Sequence, residues 1–199
     1  MPRLTQFPPQ AEMTVGNVPR SMQHAEFLAV LANRLDWRAG VELGVARGGT
    51  IARLLELCPA LRMVGVDLWE PQPGHTGPED WADWDHDGGY VAARAAIGRC
   101  GGRGSLLRMR TTEAACCLPD GVLDFVFIDA DHSTEGCAAD IRAWLPKLKP
   151  SGWISGHDIN WPTVRVAVDD LVPGYMVGPD SVWFRPVHPR PNWWTERFA

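Results

Sequence analysis

Carboxylates, glycines and imidazoles gather in this chain wherever a short apolar run ends. The first such stretch is Glu42-Leu43-Gly44-Val45-Ala46-Arg47-Gly48-Gly49-Thr50, and the next run closes on Asp67-Leu68. Gly44 and Gly48 remove side chains where a ligand must approach the backbone, and both tolerate the positive φ of a sharp turn. Glu42 and Asp67 add oxygens that accept hydrogen bonds from hydroxyl and ammonium groups. Such a turn is a nucleotide seat. Spacing narrows the choice. A dinucleotide seat is written Gly-x-Gly-x-x-Gly, its second glycine admitting a pyrophosphate, whereas position 46 is alanine and the pattern here is Glu-x-Gly-x-x-x-Gly.

A second reactive group follows two later apolar runs, at Asp129-Ala130-Asp131-His132-Ser133 and Gly156-His157-Asp158. Burying such strand ends costs desolvation energy unless the ionisable groups are paired or bind a cation. Asp129, Asp158 and either His157 or His132 offer oxygen and nitrogen ligands to a divalent ion. Mg2+ or Mn2+ suits a site dominated by carboxylates and water. His132 is the candidate general base, because an ordinary histidine is neutral near pH 7 and can accept a hydroxyl proton. A helix-entry histidine bonded to Asp131 is the other reading of the same residue.

Strands and helices must deliver these groups to one place. Apolar residues 41–43, then glycines, then Ile51, Leu54 and Leu55 at helical spacing read as strand, turn and helix. Further strands are expected at 63–66, 105–109, 122–128 and 153–155, the last after a turn at 149–152. A helix over 24–35 carries Phe27, Leu28, Leu31 and Leu35 on one face, and the helix after the glycine turn stops at Cys58-Pro59. Helices are also expected at 91–97, after a Thr112 cap, and after a Ser133 cap with Cys137, Ala138, Ile141 and Leu145 inward until Pro146. Another helix follows Pro162 with Val164, Ala167, Val168 and Leu171 inward, and a hairpin around Pro179-Asp180 joins strands at 174–178 and 181–187. Parallel strands would bring Glu42, Asp67, Asp129 and Asp158 to one rim, where open α/β sheets bind ligands.

Residues 1–20, with four prolines, read as an N-terminal arm, 21–190 as one domain and 191–199 as a C-terminal tail. The tail, with Trp193 and Trp194, is either a homodimer contact or a self-packed end. Residues 69–90 lack periodicity, and a connection this long inside a compact domain is often functional. They read as a lid. Its indoles and acids (Trp69, Trp81, Trp84, Asp80, Asp83, Asp85, Asp87) either hold a polar ring such as a sugar or pack on themselves or on a second subunit. His86 lies in that acidic run without metal-ligand spacing and reads as part of a solvated loop.

The net charge of -5 argues against a general binder of nucleic-acid phosphates. No apolar run approaches the roughly 20 residues that cross a bilayer, and no signal-peptide pattern opens the chain. Five cysteines without a Cys-x-x-Cys pair read as reduced thiols. A soluble cytoplasmic protein is expected, with a small-molecule partner, no nucleic acid and no membrane.

The glycine motif resembles that of class I S-adenosylmethionine-dependent methyltransferases. The stretches 127–136 and 144–158 look like the small bacterial metal-dependent O-methyltransferases of the macrolide-sugar O-methyltransferase and cephalosporin-hydroxylase-like group, with a distant likeness to catechol and caffeoyl-coenzyme A O-methyltransferases. The resemblance implies a Rossmann-like α/β fold: a mostly parallel seven-stranded sheet with helices on both faces and the last strand antiparallel between the fifth and sixth. It implies S-adenosyl-L-methionine as cofactor, contacted by Glu42, Gly44, Gly48, Thr50, Asp67, Leu68, Thr111, Thr112 and Asp129. In that scheme the first acid serves the amino-acid portion, Asp67 takes the ribose hydroxyls, and Thr111 or Thr112 lies near the adenine. Asp129, His157 and Asp158 are the implied metal ligands, and Asp129, Asp158 and His132 the catalytic residues. The relatives carry an acid or amide pair where this chain has His157-Asp158, which leaves metal participation open. The expected reaction is methylation of a small-molecule hydroxyl on a sugar, polyketide or other secondary metabolite. The rivals are a nicotinamide-dependent oxidoreductase and a non-catalytic S-adenosylmethionine-binding protein.

Overall fold

The β-branched and aromatic runs pair into one sheet. A computed structural model of the chain describes residues 23–71 and 84–188. Its strands are β1 (Ala39–Leu43), β2 (Arg62–Asp67), β3 (Gly104–Arg108), β4 (Leu123–Ile128), β5 (Leu148–Gly156), β6 (Met176–Val177) and β7 (Trp183–Pro186), in the order β3-β2-β1-β4-β5-β7-β6. β1 to β5 are parallel, and β7 runs antiparallel between β5 and β6, as expected. The helices are α1 (His24–Leu35), α2 (Gly49–Leu57), α3 (His86–Gly98), α4 (Thr111–Ala115), α5 (Thr134–Trp144) and α6 (Pro162–Leu171).

Side-chain alternation along the strands divides the core in two. Phe125 and Phe127 of β4 pack with Phe27, Leu54 and Ile97 from α1, α2 and α3, while Val126 and Ile128 pack with Ala114, Ile141 and Val168 from α4, α5 and α6. Val41 and Leu43 of β1 join the second cluster. Glu42, between them, therefore points to the α1–α2 face, and this decides its role.

Three local expectations differ from the structure. Residues 149–152 lie within β5 rather than in a turn, across a register shift between Leu123 and Phe125 that lets the strand absorb Pro150. α3 begins at His86, five residues before the expected 91–97. Gly88 and Gly89 are weak helix formers and hid that start, but the Asp85 carboxylate accepts from the Gly88 N–H at 2.8 Å, and a Cβ on Gly89 would fall 2.2 Å from the Trp84 ring. The end of the supposed lid is thus a capped helix. Its remainder at 72–83, like the 1–20 arm and the 191–199 tail, lies outside the described residues. Finally, Thr112 does not cap α4. Arg110 occupies the cap without a side-chain bond, whereas Ser133 does cap α5, accepting from the Gly136 N–H at 3.0 Å.

α2 is held at both ends. At its C-terminal end the Arg103 guanidinium donates to the Leu55 carbonyl in the last turn at 2.6 Å and to the carbonyls of Cys58 and Leu61 just beyond it at 3.1 and 3.3 Å, tying the helix end to the loop that follows. Ahead of it, Gly44 has φ 81°, and a Cβ there would fall 1.9 Å from the Asp129 carbonyl oxygen. Gly44→Ala should therefore destabilise the fold by about 2–4 kcal/mol, from overpacking and left-handed strain together. Urea unfolding measures this, and unchanged stability would mean that β1 and β4 do not end so close together.

All five cysteines are free. Among the described residues, no helix is long and apolar enough to cross a membrane.

Candidate active site

The strand order reverses between β1 and β4, and a cavity of about 440 Å³ opens above the carboxyl ends of the strands there. Gly44, Asp67 and Leu68 border it from β1 and β2, Thr111 and Thr112 from beyond β3, and Asp129, His132, His157 and Asp158 from β4 and β5.

At the β1–β2 end the glycine turn closes on Asp67. Asp67 Oδ2 accepts from the N–H groups of Val45 and Ala46, each at 2.9 Å, and Oδ1 from the Trp69 N–H at 2.8 Å. A carboxylate has about four acceptor positions, so capacity for a ligand hydroxyl is left. Ala46 and Trp69 both have positive φ, 49° and 46°, and the Trp69 indole donates to the Ala46 carbonyl at 2.8 Å. Alanine thus occupies a left-handed position inside the turn, held there by Asp67 and Trp69.

Of the residues expected to contact the cofactor, Glu42, Gly48 and Thr50 lie behind the wall of the cavity rather than on it. Strand alternation sends Glu42 under the first turn of α2. There its carboxyl is 2 % exposed, and the nearby Ile51 N–H and Thr50 hydroxyl favour its ionised form. Burial raises its pKa well above the usual carboxylate value, and Asp129 and Asp67 raise it further. Oε2 is buried without a hydrogen-bond partner among the described residues. Thr50 also bonds His24 Nε2 at 2.8 Å. Gly48 is needed by α3, since a Cβ there would fall 2.9 Å from Ala93 Cα. These three residues brace the seat from below.

At the β4–β5 end the ionisable groups converge. His132 Nε2 lies 2.9 Å from Asp158 Oδ2 and 3.6 Å from Asp129 Oδ1, while His157 Nδ1 lies 3.3 Å from Asp158 Oδ1 and 3.7 Å from Asp129 Oδ1. Burial pulls the His132 pKa down, but the hydrogen bonds to Asp129 and Asp158 outweigh it and leave the imidazole at about 9. Between the two carboxylates the protonated imidazole is favoured, so His132 acts as the expected base only after giving up that proton. Burial opposes ionisation of Asp158, yet His132 and His157 hold it well below the usual carboxylate range. Asp131 also borders the cavity and accepts from the Ser133 N–H at 2.8 Å.

One ligand atom from each of Asp129, His132 and Asp158 lies within 4.8 Å of the other two, and His24, His157 and Asp180 form a second such group. In the second group both ring nitrogens of His24 are already engaged, by Asp180 at 2.7 Å and Thr50 at 2.8 Å. The first group, with His157 Nδ1 beside it, offers two carboxylates and two imidazoles, a mixed oxygen and nitrogen donor set open to a divalent ion. Both of the alternative nitrogen ligands expected from the sequence, His132 and His157, thus lie beside Asp129 and Asp158.

Sequence reasoning missed Asp140 on α5 and Trp161, whose ring lies 4.8 Å from that of His132. Spacing could have found Asp140, since it falls on one helical face with Cys137 and Trp144. Its Oδ1 accepts from the Thr111 hydroxyl at 2.5 Å, so Thr111 serves α5 rather than capping α4.

Residues 41–159 match a family model described as a methyltransferase domain. The chain belongs to this methyltransferase family. The match covers both strand-end motifs and sets aside the nicotinamide oxidoreductase. No curated protein matches the chain. Among solved structures, cofactor-bound Rv0187 from MTB is similar at 21% identity over 89% of this chain and 85% of that one, with a TM-score of 0.61. An O-methyltransferase from Bacillus cereus in complex with SAH is similar at 17% identity over 84% and 83%, TM-score 0.56. CalS11, a TDP-rhamnose 3'-O-methyltransferase of calicheamicin biosynthesis, is similar at 17% identity over 83% and 80%, TM-score 0.53. At these identities the likeness concerns the fold, and the methyltransferase has the class I architecture that its sequence led one to expect.

Proposed function

We propose that this methyltransferase moves the methyl group of S-adenosylmethionine to a hydroxyl of a small-molecule acceptor, on a sugar, polyketide or other secondary metabolite. One observation carries the reading: Asp129, His132 and Asp158 converge on the cavity that Asp67 and Leu68 border from the other side. The cavity volume falls in the range of small-molecule sites. Asp67 retains acceptor capacity for a ribose hydroxyl, and Asp129 suits the positive charge near the sulfonium. The neighbours whose structures contain SAH or act on TDP-rhamnose support the cofactor and the acceptor class.

S-adenosylmethionine supplies an electrophilic methyl carbon. Asp129 and Asp158 orient the acceptor hydroxyl toward it, and His132 Nε2, within reach of both carboxylates, is placed to handle the hydroxyl proton. A divalent ion, Mg2+ or Mn2+, held by Asp129, Asp158 and His132 or His157 would supply Lewis-acid activation of that hydroxyl. Trp161 offers an aromatic face next to His132 for the acceptor. The unpaired cysteines favour a reducing compartment, and we place the enzyme in the cytoplasm.

The test is methyl transfer to a panel of glycosylated and polyketide hydroxyls, before and after metal is stripped with EDTA. Turnover that disappears on stripping and returns with Mg2+ or Mn2+ is expected. Turnover untouched by chelation removes the ion, and cofactor binding without transfer to any acceptor indicates the non-catalytic rival. In titration calorimetry, Asp67→Ala should weaken S-adenosylhomocysteine about 10–100-fold, the size of a lost hydrogen bond to a charged group. Unchanged affinity would take Asp67 out of the cofactor seat.

A further inference from the structure

We propose that Asp140 reads the purine base of the cofactor, its Oδ2 accepting an N–H from the 6-amino group while Thr111 fixes Oδ1. The inference rests on the S-adenosylmethionine reading above and assigns a specificity residue that reading leaves unnamed. The order of the sheet sets the direction of the ligand. Asp158 and Asp129 lie at the ends of β5 and β4, and Asp67 at the end of β2. In S-adenosylmethionine the sulfonium and the base sit on opposite sides of the ribose. With the sulfonium near Asp129 and the ribose at Asp67, the base must continue toward the end of β3.

The wall there is made by Thr111, Thr112, Ala139 and Asp140. Asp140 is 2 % exposed yet borders the cavity, and the Thr111 hydroxyl donates to its Oδ1 at 2.5 Å. Thr111 is fixed in turn, because the Trp144 indole donates to its carbonyl at 3.0 Å. A carboxyl in such surroundings is costly to ionise. Burial and the neighbouring Asp131 raise its pKa to about 7 despite Thr111. A packed helix face would accept an apolar residue at this position more readily. A 6-amino group gives the carboxyl a donor to accept from, and a 6-oxo base puts an acceptor there instead.

Titration calorimetry of S-adenosylhomocysteine and of S-inosylhomocysteine, its 6-oxo counterpart, at pH 8.5 tests the assignment. The wild-type protein should prefer the adenosyl ligand by about tenfold or more. Asp140→Ala should weaken the adenosyl ligand by a similar factor, leave the inosyl ligand nearly unchanged, and bring the ratio toward one. Asp140→Asn keeps the shape and offers an amide N–H to the 6-oxo group, so it should narrow the ratio by improving the inosyl ligand. It decides the matter where the alanine variant does not fold. Equal weakening of both ligands, or an unchanged ratio, overturns the assignment and leaves Asp140 as packing. A wild-type protein that binds neither ligand overturns the cofactor reading itself.

Discussion

Turnover should fall by about two to four orders of magnitude when Asp158 is replaced by asparagine, with cofactor affinity within a few-fold of wild type. Asp158 sits at φ 55°, a conformation that aspartate and asparagine tolerate better than most residues, so the substitution keeps the backbone. What it removes is charge. His132 at 2.9 Å and His157 at 3.3 Å would lose a partner, and the acceptor hydroxyl would lose one of two carboxylates that orient it. Asp158→Ala adds strain at the same position and should also lower stability. Steady-state rates with the asparagine variant, alongside calorimetry with S-adenosylhomocysteine, separate chemistry from cofactor binding. Wild-type turnover in Asp158→Asn would move the reaction away from the end of β5.

A second large effect concerns stability. The Asp140 carboxyl rises from an ordinary value of 3.8 to about 7, chiefly through burial, with Asp131 adding to the rise and Thr111 opposing it. A raised folded-state pKa means that the folded protein holds this proton more tightly than the unfolded chain. The associated stability is complete below about pH 4 and is lost as pH rises toward 7. Above pH 7 the loss is on the order of 4 kcal/mol, at 1.36 kcal/mol per pKa unit. Asp140→Asn has no such proton to lose. Its stability relative to wild type should therefore improve by a few kcal/mol between pH 4 and pH 8.5, measured by urea unfolding at both values. The side chain is 2 % exposed, so solvent screening removes little of the effect. A difference that stays constant across that range would show that the carboxyl ionises no differently in the folded and unfolded chains.

The sheet was legible because its strands have strong local signals. The β-branched and aromatic run at 122–128 and the glycine break after Leu43 suffice to place β4 and β1, and the short connections then determine the neighbours. Asp67, Asp129 and Asp158 were legible for the same reason, since each ends a strand. Glu42 also ends a strand, but only the packed structure shows which face its side chain takes, and it lies under α2 instead of in the cavity. The start of α3 was obscured by Gly88 and Gly89, whose helix is stabilised by a cap and by the Trp84 ring rather than by propensity. Asp140 was missed because an acid in an amphipathic helix ordinarily faces water, although its spacing from Cys137 and Trp144 puts it on the inward face, where it meets Thr111, 29 residues away.

The double tether on α2 has a thermodynamic consequence. With Glu42 under its first turn and Arg103 gripping the Leu55 carbonyl in its last, the helix has little freedom to fray. The glycine loop it supports should already be in its receptive shape before any nucleoside arrives. Backbone amides of residues 51–57 should then exchange with deuterium as slowly in the empty protein as in the filled one, and association should carry little entropic penalty from ordering this part of the chain.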